Sequence, residues 1–197
     1  MNSKIVLRLD TGAEQLACLE RLQAAFAEVC TALGPIVQET RCWNRVALHH
    51  LTYRKLREQF PALGSQMVCN AIYSVSRSAR QMFQNRASPW CVDKRPDQPL
   101  PLLRFAESAP VYFDRHTLSL RRGGLSMYTL DGRLRFEVGL TPGDEQLFRE
   151  EKLKEILLSR DGQGFFLVFS LGGDEVVQES AELPEYLIVV EPAVLAA

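Results

Sequence analysis

Asn70, Tyr73, Arg77 and Arg80 recur at spacings of three and four, with Gln66 one turn earlier, so a helix would align them as one polar stripe. Amides and guanidinium groups can read base edges, and tyrosine supplies a stacking plane. A second cluster precedes it: Arg45, Arg54, Lys55 and Arg57 with His49, His50 and Tyr53. Arg54 and Arg57 are three apart and share a helical face, as do His50 and Tyr53. Downstream come Arg115, Arg121, Arg122, Arg133 and Arg135. Arg133 and Arg135 alternate with Leu134 and Phe136, which on a strand turns both guanidiniums outward, where they can follow a phosphate backbone. Each cluster also has a plain alternative, the solvated face of a helix or strand.

The charge distribution admits both interpretations, phosphate contact or a solvated face balanced by an acidic tail. Sixteen of the 23 basic residues lie between Arg41 and Arg135 against six acids, a net +10, although the whole chain carries −1. Residues 1–40 carry −2 and residues 136–197 carry −9. A middle this cationic suits phosphate contact, because each neutralised phosphate releases counterions whatever the base sequence.

Signatures of bond-making chemistry are sparse. There is no G-x-S-x-G, no Walker loop and no H-E-x-x-H. Adjacent His49 and His50 diverge on a helix and cannot share a metal as i, i+4 histidines do. The five cysteines (Cys18, Cys30, Cys42, Cys69, Cys91) are odd in number, widely spaced and without C-x-x-C, the pattern of reduced and mostly buried thiols. No catalytic residue, metal site or cofactor is expected. No run reaches the roughly 18 apolar residues of a membrane span, and the start, MNSKIVLRLD, lacks the apolar stretch of a signal peptide. The expectation is an intracellular protein with no membrane partner.

The elements that would position these residues follow from periodicity. Ile5, Leu7 and Leu9 alternate as a short strand. Thr11-Gly12-Ala13-Glu14 opens a helix carrying Leu16, Leu19, Leu22, Phe26, Val29 and Leu33, with Gly34-Pro35 as its stop. A second helix runs from Trp43-Asn44 to Phe60-Pro61, with Val46, Leu48, Leu51, Leu56 and Phe60 expected inside. A third runs from Ser65 to about Arg86. Residues 87–101, with four of the ten prolines, have the composition of an extended connector. Beyond it the period becomes two: Leu102–Phe105, Val111–Phe113, Leu118–Leu120, Leu125–Leu130, Leu134–Val138, Lys154–Ser159, Phe165–Leu171 and Tyr186–Val190 are strand candidates, with a helical turn or two at Asp144–Glu151. Short, evenly spaced strands suggest a small closed barrel, and the first strand could join it, making the helices an insertion.

Asn44–Arg57, the Ser65–Arg80 helix, Tyr112–Ser119, Leu125–Arg135 and Arg160-Asp161-Gly162 before Phe165–Val168, taken in order, resemble the amino-terminal half of TnpB (OrfB) proteins, the transposon-encoded RNA-guided nucleases related to type V CRISPR effectors. The resemblance spans about residues 3–171. It implies an α+β fold: an oligonucleotide-binding-like wedge β-barrel (residues 1–10 and 100–175) with a three-helix recognition insertion after the first strand (11–86), a linker (87–99) and an acidic tail (176–197). In that family these parts hold structured guide RNA and the guide–target duplex by shape and backbone. The family's RuvC-like nuclease, with three metal-binding acids and a zinc insert, would begin where this chain stops. Tyr186–Pro192 looks like a degraded first nuclease strand, and Glu191 alone could not hold two metal ions.

The expectation is therefore a non-catalytic, cytoplasmic or nucleoid-associated binder of guide-type RNA or DNA, a truncated or domesticated transposon product. Arg45, Tyr53, Arg54, Arg57, Gln66, Asn70, Tyr73, Arg77, Arg80, Arg115, Arg133 and Arg135 are its expected contacts. Half of a split endonuclease, with a partner chain supplying the nuclease, and a protein-interaction module or decayed remnant are the alternatives.

Overall fold

The computed structural model describes residues 2–121, 123–172 and 182–192. The chain is a mixed α+β protein in which a strand, three helices and then mostly strands follow one another. Strand β1 (Asn2–Arg8) leads into α1 (Ala13–Thr40), α2 (Arg45–Gln59) and α3 (Ser65–Phe83). Then come β2 (Leu102–Phe105), β3 (Val111–Phe113), β4 (Leu118–Arg121), β5 (Gly124–Thr129) and β6 (Gly132–Glu137). Helix α4 (Pro142–Glu150), the hairpin β7 (Leu153–Asp161) and β8 (Gly164–Gly172), and β9 (Leu187–Val190) complete it.

β1 pairs antiparallel with β8, Ile5 opposite Phe169 and Leu7 opposite Leu167, so strands 160 residues apart close around the helices. The expected closed barrel does not form. The strands divide into three antiparallel sheets, ordered β1-β8-β7-β3, β2-β9 and β4-β5-β6. The reason lies in α1, which packs on β2, β3 and β5, one strand from each sheet. Its buried Leu19, Leu22, Phe26, Leu33 and Val37 fill the space that a barrel would fill with its own strands. Helices and sheets share one continuous apolar cluster.

Helix α1 also runs through its expected stop. Pro35 lacks an amide and would cost an isolated helix about 3 kcal/mol, but tertiary packing carries the helix to Thr40. Gly34 serves contact rather than termination: a Cβ there would lie 2.1 Å from the Leu103 carbonyl oxygen of β2. One turn earlier Thr31 Oγ1 accepts from the Phe105 amide at 3.0 Å. At the other end the start falls one residue later than expected, Gly12 N donating to Gln15 Oε1 at 2.9 Å. Asn44 caps α2, its Oδ1 accepting from the amides of Val46 (3.0 Å) and Ala47 (3.1 Å).

Two further expectations change. Val46 and Leu51, expected inside, are 63% and 58% exposed, because α2 packs chiefly on α3 and buries only Leu48, Thr52 and Leu56 among its residues. Residues 87–101 are a series of packed turns rather than an extended connector. Ser88, Cys91 and Leu100 are buried, and the carbonyls of Gln98 and Leu100 accept from Arg41 and Gln38 of α1. Arg122 and half of the expected acidic tail (176–181 and 193–197) lie outside the described residues.

Candidate nucleic-acid interface

Every fourth residue along one side of α2 is Arg45, His49, Tyr53 and Arg57, and this row meets α3. Arg45 lies over the Tyr73 ring at 4.6 Å, and Tyr73 packs on Tyr112 of β3 with ring centroids 4.6 Å apart. His49 stacks on Tyr53 at 4.7 Å, and its Nε2 is 3.7 Å from Cys69 Sγ. The result is a groove walled by cations and aromatic faces, the combination that binds single-stranded nucleic acid without reading sequence. Burial and the adjacent Tyr73 push the Tyr112 hydroxyl up to about 12. Burial raises Cys69 as well, more than Arg45 and Arg57 lower it, so the Cys69–His49 contact is made by a thiol rather than a thiolate nucleophile.

The expected α3 stripe is not a solvent-facing strip. Asn70 is 1% exposed and donates to Thr117 Oγ1 at 3.3 Å, so it cannot reach a base edge. Gln66 is half-buried and donates to Asp114 Oδ2 at 2.6 Å. Arg77 pairs with Glu155, and Arg57 donates to the Leu63 carbonyl. These residues brace the groove. Tyr73 and Arg80 remain accessible on α3, and Arg54 is exposed on the outer face of α2.

The strand residues gather elsewhere. Arg133 lies over the Tyr128 ring at 4.2 Å and donates to Ser126 Oγ (3.2 Å) and the His116 carbonyl (3.1 Å). Arg135 is exposed beside it on β6, turned outward as its alternation predicts. Arg115 lines a separate surface hollow with Glu145 and Arg149. The Asp114–Thr117 turn joins the two groups. Asp114 Oδ1 accepts from the amides of His116 (2.9 Å) and Thr117 (3.0 Å), while Oδ2 takes Gln66 and Thr117 Oγ1 bonds Asn70. Burial works to raise the Asp114 pKa, but the bonds from Gln66, Thr117 and His116 outweigh it and hold the carboxyl below its ordinary range.

Sequence reasoning missed Tyr112 and Asp114 as parts of the groove, and Arg41 beside Arg45 and Arg80. The D-x-x-T pattern at Asp114–Thr117 was a legible turn signal. Arg41 was hidden by the expected end of α1 at Gly34. Glu191 accepts from Trp90 Nε1 at 2.7 Å and faces Arg95 at 3.6 Å. Among the described residues no three His, Cys, Asp or Glu side chains converge as a metal site, and no helix is long and apolar enough to cross a membrane.

Acid pairing separates the arginines into two populations. Outside the Arg41–Arg135 window, Arg8, Arg21, Arg149 and Arg160 each have a carboxylate partner, in Asp161, Asp131, Glu145 and Glu20. Inside it, among the described residues, only Arg77 and Arg95 do. No protein-family model matches this sequence, and no curated protein matches it.

Proposed function

We propose that this chain is a non-catalytic nucleic-acid-binding protein whose contact surface runs from the exposed outer face of α2 across the α2–α3 groove, with Arg54 on the outer face and Arg45 and Arg80 at the groove engaging phosphates and Tyr53 and Tyr73 offering stacking faces. The observation that carries this reading is that, among the described residues, most arginines of the 41–135 window have no acidic partner. A guanidinium without a protein counter-charge is free to neutralise a phosphate and so release the counterions condensed on the polyanion. The finer assignment is a TnpB-like organisation, an oligonucleotide-binding-like wedge with a helical recognition insertion. It is supported by the order of the resembling segments and by β1 pairing with β8 across the inserted helices. On that reading the ligand is a structured guide-type RNA or its duplex with DNA, and any cutting would come from a separate nuclease chain.

The test is a fluorescence-anisotropy titration with a structured RNA and a duplex DNA at several salt concentrations. The expected result is an affinity that falls linearly on a log–log plot against salt. It should weaken by about tenfold to a hundredfold in the double variant Arg54→Glu, Arg80→Glu. No binding by the parent, or an unchanged double variant, overturns the proposal.

A further inference from the structure

Where α1 ends, α2 begins and α3 passes beneath, a surface cleft of about 680 Å³ opens between Thr40 and Val46 on one side and Arg80 and Gln84 on the other. Three arginines line it, Arg41 and Arg45 from the α1–α2 junction and Arg80 from α3, and no acidic residue does among the described residues. None of the three has a carboxylate partner among the described residues; Arg41 donates to the Gln98 carbonyl at 2.9 Å and Arg45 leans on Tyr73. The size suits a mononucleotide, since pockets for small ligands run from about 300 to 1,000 Å³.

Two further features accompany the cationic lining. Arg41 is the one non-glycine residue with positive φ (53°) among the described residues, and it stands at the helix-ending position that glycine usually fills. A side chain retained where glycine would fit better directs attention to what that side chain does. The axis of α2 also begins at the cleft. Asn44 already takes the Val46 and Ala47 amides, so α2 contributes the positive end of its dipole more than free N–H groups. Trp43, seated on Phe83 with ring centroids 5.3 Å apart, adds an aromatic wall.

Charge matching selects the kind of phosphate. An internal phosphodiester carries one negative charge and leaves most of three guanidiniums uncompensated. A phosphomonoester carries nearly two at neutral pH and offers three oxygens for forked hydrogen bonds. We propose that this cleft is a phosphomonoester subsite that seats the terminal phosphate of a bound strand, with the end nucleotide against Trp43. The strand as the source of that phosphate rests on the nucleic-acid reading above; the subsite itself does not.

The experiment compares single-stranded 12-mers of one sequence bearing a 5′-phosphate, a 3′-phosphate or hydroxyls at both ends, with adenosine monophosphate as a fourth ligand, by calorimetry. One phosphorylated end should bind about tenfold or more tightly than the hydroxyl-ended strand. Arg41→Gly and Arg41→Gln should each remove that advantage. Arg41→Gly also answers the objection of misfolding, because glycine accepts φ 53° without a Cβ penalty and its thermal midpoint should not fall. Equal affinity of the parent for all three strands overturns the subsite and leaves the groove reading standing. Binding of the mononucleotide with no strand bound upholds the subsite and overturns the strand as the source of its phosphate. Failure of all four ligands overturns the subsite, while the nucleic-acid reading stands or falls on the structured-RNA and duplex titrations above.

Discussion

Among the described residues four arginines lie over aromatic rings, and they fall into two kinds. Arg8 over Phe166 and Arg160 over Phe165, at the β7–β8 turn end of the largest sheet, each also meet a carboxylate, Asp161 and Glu20. Arg45 over Tyr73 and Arg133 over Tyr128 meet none among the described residues. The local chemistry of ring and guanidinium is the same in both pairs. The difference is whether the fold supplies the counter-charge. At the sheet end the charges are closed within the protein, and such exposed, solvent-screened pairs contribute little to stability. At Arg45 on α2 and Arg133 on β6 the charge has no such partner among the described residues.

The sharpest way to break that contrast is to remove the same charge from both places. Arg54→Gln with Arg80→Gln, and Arg8→Gln with Arg160→Gln, each take away two positive charges. If unpaired arginines make the phosphate contacts, the first pair flattens the log affinity–log salt slope for duplex DNA by close to two, about 0.9 per contact. The affinity should fall about tenfold, while the second pair leaves both quantities unchanged. Equal effects from the two pairs would reduce the interaction to a matter of net charge and dissolve the comparison.

Asn70 sharpens it from the opposite side, as a polar residue the fold keeps for itself. Removing its amide leaves Thr117 Oγ1 with one partner fewer in a closed interior, a loss of about 1–3 kcal/mol. Asn70→Ala should therefore lower the urea midpoint while the folded variant binds nucleic acid as the parent does. A variant of normal stability and weakened binding would return Asn70 to the interface.

This residue also shows what sequence can and cannot carry. Local periodicity located the nine strands and three long helices of the described residues, since alternation and 3.6-residue spacing are properties of neighbours in the chain. The three sheets in place of a barrel depend on α1 meeting β2, β3 and β5 together, a non-local fact. Helix α3 is covered by α1, α2 and β3, so its polar stripe is partly interior and Asn70, Ser76 and Ser78 are buried. A stripe opposite an apolar face reads as solvent-exposed only when a helix has one covered side. For α2 the error is reversed: with essentially α3 alone to pack on, it leaves Val46 and Leu51 outside.

The joint between the two groups of arginines predicts a pH dependence. Asp114 has a native pKa held below its ordinary value, so its bonds contribute stability above the unfolded carboxylate pKa of about 4. That contribution is lost as pH falls through the lower native value. Asp161, held at about 2 chiefly by its hydrogen bond from Arg8, has the same sign at the sheet end. Urea midpoints at pH 6 and pH 3 should therefore differ less in Asp114→Asn than in the parent, and less again when Asp161→Asn is added. An Asp114→Asn variant with the parent's full acid sensitivity would show that the turn is not held by its carboxylate.

The smallest expected effect is the most direct on the comparison, because it converts one kind of arginine into the other. Arg77 sits on the rim of the groove beside Tyr73 but is closed by Glu155, whose side chain is 13% exposed against 57% for Arg77. Glu155→Gln keeps an acceptor for the guanidinium and removes the opposing charge, so the fold is disturbed little. If the groove is the path of the polyanion, the freed charge joins it. Affinity should rise about two- to threefold, and the salt slope should steepen by just under one. The same substitution at Glu20 frees Arg160 at the sheet end and should change neither. A gain at both positions would mean that any liberated arginine attracts the ligand, and a gain at neither would mean that the phosphates do not pass Arg77. Only a gain at Glu155 alone follows from a groove in which position, and not charge alone, decides contact.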